Sequence, residues 1–356
     1  MSGIPRRAML QGAAAATAAA AATTVGTTAA VAAGKGKGHG KGPSPKEPTT
    51  PTPVTGNVPD GLEKFYDPTY DVVRGQVPAS YHPWVSTRED RILLYTRTAG
   101  PRHAHLGPAL AAGLNPTLTS AHVLQNAIIT WMAEVGVEVD WTEDVTQMAI
   151  SASAPYKAVV FGSTSRDTMW RHGTAVDSSA AVNTTTGAHL DAAKTALHQY
   201  MRAGGGFVGI HNAVGGTEYN WKWFEGLTGS QYYDHGALQD GTVVTYAKDS
   251  STEGLPARWA FKDEWYNWMP FPTRVKFLLG VDESTLATKS QVHPGHGKFH
   301  PLSWCQYYDG GRSFITALGH DSLAWTDGSD YPGQKFFKKH VVNGILSTMG
   351  KLPFCS

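Results

Sequence analysis

The segment GGGFVGIHNA, from Gly204 to Ala213, constrains the fold of this chain more than any other part of the sequence. Its three glycines are typical of a helix end that allows close backbone approach. Residues 207–210 form a short apolar run, typical of a parallel strand covered on both faces. Because the residue just past the carboxyl end of such a strand lies in the ligand crevice of an open α/β sheet, we predict that His211 faces a site. A hydrogen-bonded histidine that caps the strand end is the simpler alternative.

Predicted strands and helices alternate around this segment. Apolar runs predict strands at 91–96, 137–141, 156–162, 207–210, 241–247, 274–281, 303–307 and 313–318. Helical spacing of apolar residues predicts helices at 188–203, 221–227 and 334–349, and one more that Ser120 caps and Gly136 ends. The alternation in the first half favours an α/β fold with a doubly wound, mostly parallel sheet, to which the second half adds β-rich insertions. A tight hairpin at 309–312 is predicted to join the last two strands.

The first 57 residues are predicted to lie outside the folded domain. Arg6 and Arg7 precede a weakly hydrophobic, Ala- and Thr-rich run that ends in a small-x-small site, which indicates a twin-arginine signal peptide over residues 1–33. The run is too mildly apolar to be a membrane span. Residues 34–57 form a Gly/Lys- and Pro/Thr-rich linker. We therefore expect one α/β domain at 58–356 that is exported by the twin-arginine route and then secreted or associated with the cell wall.

Charge and cysteine content narrow the partners and the compartment. Residues 1–57 hold six basic residues and one acidic residue, which leaves 24 Lys and Arg against 28 Asp and Glu, a formal charge of −4. Such a surface offers no electrostatic footprint for nucleic acid or for an anionic membrane. Export would place Cys305 and Cys355 in an oxidising compartment, where they either form a disulfide or stay as buried thiols.

Four histidine-bearing turns follow or join predicted strands, at His103, His211, His235 and His320. In a parallel sheet the first two share one edge. Several imidazoles with nearby carboxylates make either an acid–base site or a metal site. His103, His211 and His235 are the candidate ligands if one divalent metal ion is bound. Each histidine alone is more often structural, and no tight metal spacing such as His-Glu-x-x-His occurs.

Other polar and aromatic residues are candidates for the same site. Asp263 and Glu264 are adjacent, so on a strand they face opposite ways, and we favour Glu264 as the one that reaches the pocket. Aromatic rings suit the flat faces of sugars, although several must be core in a domain of this size. The candidate substrate-binding residues are Arg312, Tyr266, Asn212, Trp304 and His300.

The motifs also carry a family resemblance over most of residues 91–350. They are Tyr95 to Arg97 with Arg102 and His103, Gly204 to Ala213, Gly229 with His235, Asp263 to Tyr266, His300 and Pro301 with Trp304, and Gly311 and Arg312 with Leu318 to Asp321. In this order they resemble the ThuA-like (trehalose-utilisation) family, a branch of the class I glutamine amidotransferase-like superfamily. The resemblance implies a flavodoxin-like core and a link to sugar catabolism. It also implies that His211 replaces the amidotransferase cysteine, so that glutamine hydrolysis is not expected.

The leading hypothesis is therefore an exported carbohydrate-active enzyme. It would cleave or rearrange a sugar or oxidised sugar, as a lyase or a hydrolase, by histidine acid–base chemistry and with one divalent metal ion as a candidate cofactor. His103 and His211 would transfer protons or bind the metal, and His235 and His320 would complete the site. A non-catalytic glycan-binding module that relies on aromatic residues is the first alternative. A cell-wall structural protein tethered by its basic linker is the second.

Overall fold

The computed structural model describes residues 61–77, 88–148, 154–166, 168–169, 187–214, 221–290 and 292–356. All of them belong to one compact unit, Pro53–Ser356. The predicted signal peptide and linker lie outside the described residues. Among the helices that are described, none combines the length and the apolar character needed to cross a membrane.

Thirteen strands and four α-helices make up the described part of the chain. The strands are β1 (Tyr66–Asp67), β2 (Val72–Gly75), β3 (Glu89–Tyr95), β4 (Glu138–Thr142), β5 (Tyr156–Gly162), β6 (Gly206–Ile210), β7 (Tyr232–His235), β8 (Gln239–Thr245), β9 (Arg258–Asp263), β10 (Tyr266–Trp268), β11 (Lys276–Asp282), β12 (His300–Tyr308) and β13 (Gly311–Thr316). The helices are α1 (Val123–Ala133), α2 (Gly187–Arg202), α3 (Lys222–Thr228) and α4 (Gln334–Thr348).

Eleven of these strands form one mixed sheet, in the order β4-β3-β5-β6-β13-β12-β11-β8-β9, with β1 and β2 added beside β12. Neighbouring strands from β4 to β13 are parallel, and those from β13 to β9 are antiparallel. β7 and β10 pair separately, as an antiparallel ribbon. The α/β class is thus confirmed, with a flavodoxin-like parallel half and a β-rich antiparallel half.

Helices cover both faces of the parallel half. Side chains alternate along each strand, so neighbouring residues of β6 contact helices on opposite faces. On β6, Phe207 contacts the ring of Phe224 from α3, with ring centroids 5.6 Å apart. Gly206 faces the other way, where a Cβ atom would lie 2.8 Å from Cγ2 of Thr348 in α4. α1 packs beside α4 on that second face. This arrangement explains the continuous apolar character of the strand, which is buried at every position.

The glycines before β6 have the predicted role of ending a helix. Gly204 has a φ of 80°, and its N–H donates to the carbonyl of Met201 over 2.9 Å. The N–H of Gly205 donates to the carbonyl of Tyr200, also over 2.9 Å. A Cβ atom on Gly205 would lie only 2.2 Å from the Tyr200 ring, so the close approach requires glycine. The chain then enters β6 with no intervening loop.

The hairpin and the cysteine pair complete the second half. Tyr308 and Gly311 are the last paired residues of β12 and β13, and Asp309 has a φ of 47°, as a tight hairpin requires. Cys305 and Cys355 form a disulfide with Cα atoms 5.7 Å apart, which ties the C-terminal segment to β12. Of the two alternatives that the sequence left open, the disulfide is the one in the structure.

One local prediction is wrong, and several elements were missed. Ser120 does not cap α1. The helix begins at Val123 with His122 as its N-cap, and the ring Nδ1 of His122 accepts a hydrogen bond from the N–H of Thr119 over 2.9 Å. β1, β2, β7, β9 and β10 were not predicted. Each is short or half exposed, so none leaves a clear apolar run in the sequence.

Candidate active site

The candidate site lies at the edge of the sheet where the parallel strands end. The loops that follow β3, β5, β6 and β13 carry His103, Arg166, His211 and His320, respectively. Because parallel strands present their carboxyl ends at one edge, these loops meet there. The antiparallel half contributes Glu264 from the connection between β9 and β10.

His211 stands directly after β6 and is the most constrained side chain of the site. It is fully buried, and its backbone is left-handed, with a φ of 53°. Its Nδ1 lies 2.9 Å from the carbonyl oxygen of Ala317, and since a carbonyl only accepts, Nδ1 carries the proton. Nε2 therefore has a lone pair, and it lies 3.0 Å from the hydroxyl of Tyr266 and 3.2 Å from Nε2 of His103. A backbone carbonyl that fixes the tautomer in this way is typical of metal-binding histidines.

Four side chains converge around this lone pair. His103, His211, Glu264 and His320 each offer one ligand atom, and these four atoms all lie within 4.8 Å of one another. His320 Nδ1 is 3.0 Å from Glu264 Oε2. Three imidazoles and one carboxylate are donors that Zn²⁺ and other first-row divalent ions prefer. The Nδ1 of His103 is buried and has no hydrogen-bond partner among the described residues.

Asp263 links the connection between β9 and β10 to the loop after β13 through hydrogen bonds. It is fully buried, and its carboxylate accepts the N–H groups of Glu264 and Gly319, each over 2.8 Å, and that of His320 over 3.3 Å. Burial raises the pKa of Asp263 to about 7, against the lowering effect of these backbone donors. Through these bonds one side chain sets the backbone positions of Glu264 and His320.

The electrostatic environment separates the histidines into two groups. Burial, reinforced by the positive charge of His320, lowers the pKa of His103 to about 4. Burial likewise keeps the pKa of His211 well below its usual range. Burial also acts against the charged form of His320, but the hydrogen bond and the charge of Glu264 outweigh it and raise the pKa of that ring. His103 and His211 are thus neutral bases near pH 7, while His320 is paired with a carboxylate.

A cavity of about 500 Å³ opens in front of these groups. His103, Glu264, Tyr266 and His320 line it, together with His235 from β7. His235 Nδ1 lies 2.5 Å from the carbonyl oxygen of the next residue, and its Nε2 is 3.6 Å from Glu264 Oε2. It lies outside the group of four convergent ligand atoms but faces the same cavity. A cavity of this volume is within the usual size range of small-molecule sites, roughly 300–1,000 Å³.

Comparison with protein-family models gives one match, to the model described as "ThuA: Trehalose utilisation", over residues 91–346. The chain belongs to the ThuA family. The resemblance noted in the sequence is thereby confirmed. The family description relates the family to carbohydrate use. No curated protein matches the chain.

The solved structures to which the chain is similar include other ThuA-like proteins. One from Bacteroides uniformis is 18% identical, with a TM-score of 0.48, over 74% of this chain and 94% of that one. One from Parabacteroides merdae has the same identity and TM-score, over 74% of this chain and 91% of that one. A glutamine amidotransferase from Thermotoga maritima is 11% identical, with a TM-score of 0.38, over 74% of this chain and 99% of that one.

The structure of this ThuA-family protein divides the candidate substrate-binding residues. Tyr266 and Asn212 line the cavity. His300 is not among the residues that line the cavity but contacts one that does, with its Nε2 2.8 Å from the carbonyl oxygen of Tyr266. Trp304 is fully buried, and its indole N–H donates to the carbonyl of residue 228 over 2.8 Å. Arg312 stands at the start of β13, beside the start of β6, and is therefore at the opposite edge of the sheet from His211.

Sequence reasoning did not assign three residues to the site that the structure places there. They are His105, Ser165 and Arg166. His105 buttresses the loop of His320, since its Nδ1 lies 2.7 Å from the His320 carbonyl oxygen and its Nε2 lies 2.8 Å from Ser163 Oγ. Ser165 and Arg166 lie in the loop that follows β5, just as His103 lies in the loop that follows β3. That position was the available signal for them.

Proposed function

We propose that this ThuA-family protein is an exported carbohydrate-active enzyme that cleaves or rearranges a sugar or an oxidised sugar, as a lyase or a hydrolase. One observation carries the proposal. Three histidines and a glutamate from separate parts of the chain converge beside a cavity of about 500 Å³, and His103, Glu264 and His320 among them line it. Buried titratable groups with shifted pKa values, gathered in a cleft, favour catalysis over a purely structural role. The family description favours a sugar-derived substrate.

A divalent metal ion fits the donor set. His103, His211, Glu264 and His320 would hold it, in place of the set of His103, His211 and His235 that the sequence suggested, because His235 lies outside the convergent group. The fit rests on the lone pair of His211 Nε2, which the carbonyl of residue 317 keeps free of a proton. When bound, such an ion would polarise a carbonyl group or a water molecule of the reaction.

His235 and Tyr266 are the proposed groups for proton transfer and substrate orientation. The carbonyl of residue 236 accepts from Nδ1 of His235, which leaves Nε2 as a base that faces the cavity. In a lyase reaction His235 would remove a proton next to a carbonyl or carboxylate of the sugar. The hydroxyl of Tyr266 would then donate its proton to the leaving oxygen. Asn212 would hold a substrate hydroxyl, since its amide nitrogen already donates to the Thr164 carbonyl over 3.1 Å and keeps its oxygen for the cavity.

The position of the tryptophans argues against the glycan-binding alternative. Trp265, Trp268 and Trp304 are all buried at 2% exposure or less, and they pack in the core. Among the described residues that line the cavity, the aromatic rings besides the histidines are Tyr232 and Tyr266. A binding module built on aromatic platforms would present broad rings to the ligand. The titratable groups therefore dominate this cavity.

The test is turnover of a panel of glycosides, uronates and keto-sugars by full-length protein purified without chelator. We expect His235→Gln and Tyr266→Phe to lower kcat by about 100-fold or more, the usual contribution of a general acid or base. His198→Gln is the matched control, since His198 pairs with Asp309 and does not line the cavity. Binding without turnover across the panel would favour the glycan-binding module instead.

Export is the second part of the proposal, and the adjacent Arg6 and Arg7 support it. The test is the location of the full-length chain in a host with a functional twin-arginine pathway. We expect export that is lost when both arginines are replaced by lysine. Retention of the unmodified chain inside the cell would contradict this part of the proposal and leave the chemistry untouched.

A further inference from the structure

Arg166 presents a cation at the rim of the cavity. It follows β5, lines the cavity and is exposed. The side chain lies across Gly100, where a Cβ atom would be 2.5 Å from both Cγ and Cδ of Arg166. The missing side chain of Gly100 therefore makes room for the arginine stem. The backbone of Arg166 is left-handed, with a φ of 51°, which is uncommon for a residue other than glycine.

Two of the described residues that line the cavity are arginines, and their surroundings differ. Arg102 donates to Glu143 Oε1 over 2.6 Å and to the carbonyl of Gly107 over 2.7 Å, so its guanidinium is already occupied. Arg166 has no hydrogen bond or ion pair within the part of the chain that the structure describes. An unpaired guanidinium beside a polar cavity is the group that proteins use to bind carboxylates and phosphates in two-point contacts.

Ser165 supplies a second, independent observation. Its side chain is fully buried at the cavity wall, and its hydroxyl has no hydrogen-bond partner among the described residues. The backbone is fixed, because its carbonyl accepts the N–H of Ala99 over 2.8 Å. A buried hydroxyl without a partner is destabilising, and an acceptor atom of a ligand would satisfy it.

The charges of the cavity point the same way. Glu264 is its only carboxylate among the described lining residues, and that carboxylate is taken up by His320. Arg166 forms no ion pair with Glu264 or with any other described carboxylate. A divalent ion on the four convergent ligands would add positive charge, so the metal-loaded cavity would attract an anion.

We propose that the substrate is an anionic sugar derivative whose carboxylate or phosphate group is bound by the Arg166 guanidinium and the Ser165 hydroxyl. This inference rests on the proposed function, because it names the substrate class of the same cavity. The arginine that binds the substrate is then Arg166 and not the sequence candidate Arg312, which stands at the opposite edge of the sheet.

The experiment is calorimetric titration of the full-length protein at low ionic strength with D-glucuronate, D-galacturonate and D-glucose 6-phosphate, with D-glucose and D-galactose as neutral probes. We expect at least one acidic probe to bind about tenfold or more tightly than its neutral counterpart, the scale of one charge-assisted hydrogen bond. The uronates and the sugar phosphate separate a carboxylate from a phosphate as the bound group. The preference should weaken with added salt.

Three variants assign the preference to Arg166. Arg166→Gln should abolish it, and Gly100→Ala should reduce it with the charge intact, because the new methyl group displaces the arginine stem. Arg258→Gln is the matched control, since Arg258 is exposed and pairs with Asp282 away from the cavity. An unchanged melting temperature shows that each variant is folded.

The outcomes separate this inference from the proposed function. It is overturned if the wild-type protein shows no preference for any acidic probe, or if the preference survives in Arg166→Gln. An Arg166-dependent preference without turnover supports the inference and counts against the proposed enzyme. Turnover of neutral sugars with no acidic preference supports the enzyme and removes the inference.

Discussion

Two substitutions at one position separate the structural role of His211 from its chemical role. Both His211→Ala and His211→Gly remove the imidazole, the bond to the Ala317 carbonyl and the contact with Tyr266. Both should destabilise the fold by about 2–4 kcal/mol, from the cavity left behind and the buried carbonyl without a donor. Both should also reduce turnover to background, because the lone pair at the centre of the site is gone.

The two variants should differ in stability because of the backbone. With a φ of 53°, residue 211 is in the left-handed region, which costs an alanine roughly 1–2 kcal/mol and costs glycine little. His211→Gly should therefore be more stable than His211→Ala by about 1 kcal/mol, after part of that gain is lost to the greater freedom of glycine in the unfolded chain. Urea unfolding in the presence of a chelator measures this difference without any contribution from bound metal. Equal stability, or a more stable alanine variant, would refute the left-handed turn after β6.

Two further predictions concern residues behind the site and in the core. His300 Nε2 lies 2.8 Å from the Tyr266 carbonyl oxygen, and its Nδ1 lies 2.8 Å from Glu283 Oε1. His300→Leu should therefore lower kcat about tenfold with little change in KM, while Glu283→Gln, which keeps an acceptor for that ring, should lower kcat less. An equal loss in both variants would count against this positioning role. His340 is fully buried, and burial lowers its pKa from 6.5 to about 4. Its contribution to stability, up to about 3 kcal/mol, is therefore complete above pH 6.5 and is lost as the pH falls through the folded pKa. Urea unfolding from pH 7 to pH 4 should show this fall in the free energy of unfolding, and the fall should be smaller in His340→Gln.

The parallel half of the fold was predictable because its strands are short apolar runs buried on both faces. The run before His211 matches β6 almost residue for residue, and residues 156–162 match β5. One rule, that functional residues follow the carboxyl ends of parallel strands, pointed to His103 and His211. The structure brings their ring nitrogens to within 3.2 Å of each other.

The contribution of the antiparallel half could not be derived in the same way. Glu264 and Tyr266 reach the cavity through the pairing of β7 with β10, and this ribbon is short and has no apolar run. Its position depends on contacts distant in sequence, including the bonds of Asp263 to the backbone of residues 319 and 320. A sequence pattern contains no information about such long-range pairings.

Arg312 shows how strand direction decides the location of a residue. It lies near the beginning of β13, while His320 lies after its end, and the sequence placed both at one site. A six-residue strand is about 20 Å long, so its two ends cannot serve one small cavity. Arg166, which follows the end of β5, is the arginine that faces the cavity.

Anomalous diffraction from a crystal of the full-length protein grown with Zn²⁺ tests the central claim most directly. We predict one strong peak between His103, His211, Glu264 and His320, at about 2.0–2.2 Å from each ligand atom, whereas histidines elsewhere, such as those at 293–300, give weaker peaks or none. The claim would be contradicted if Zn²⁺ occupied another position in the protein and these four residues held none.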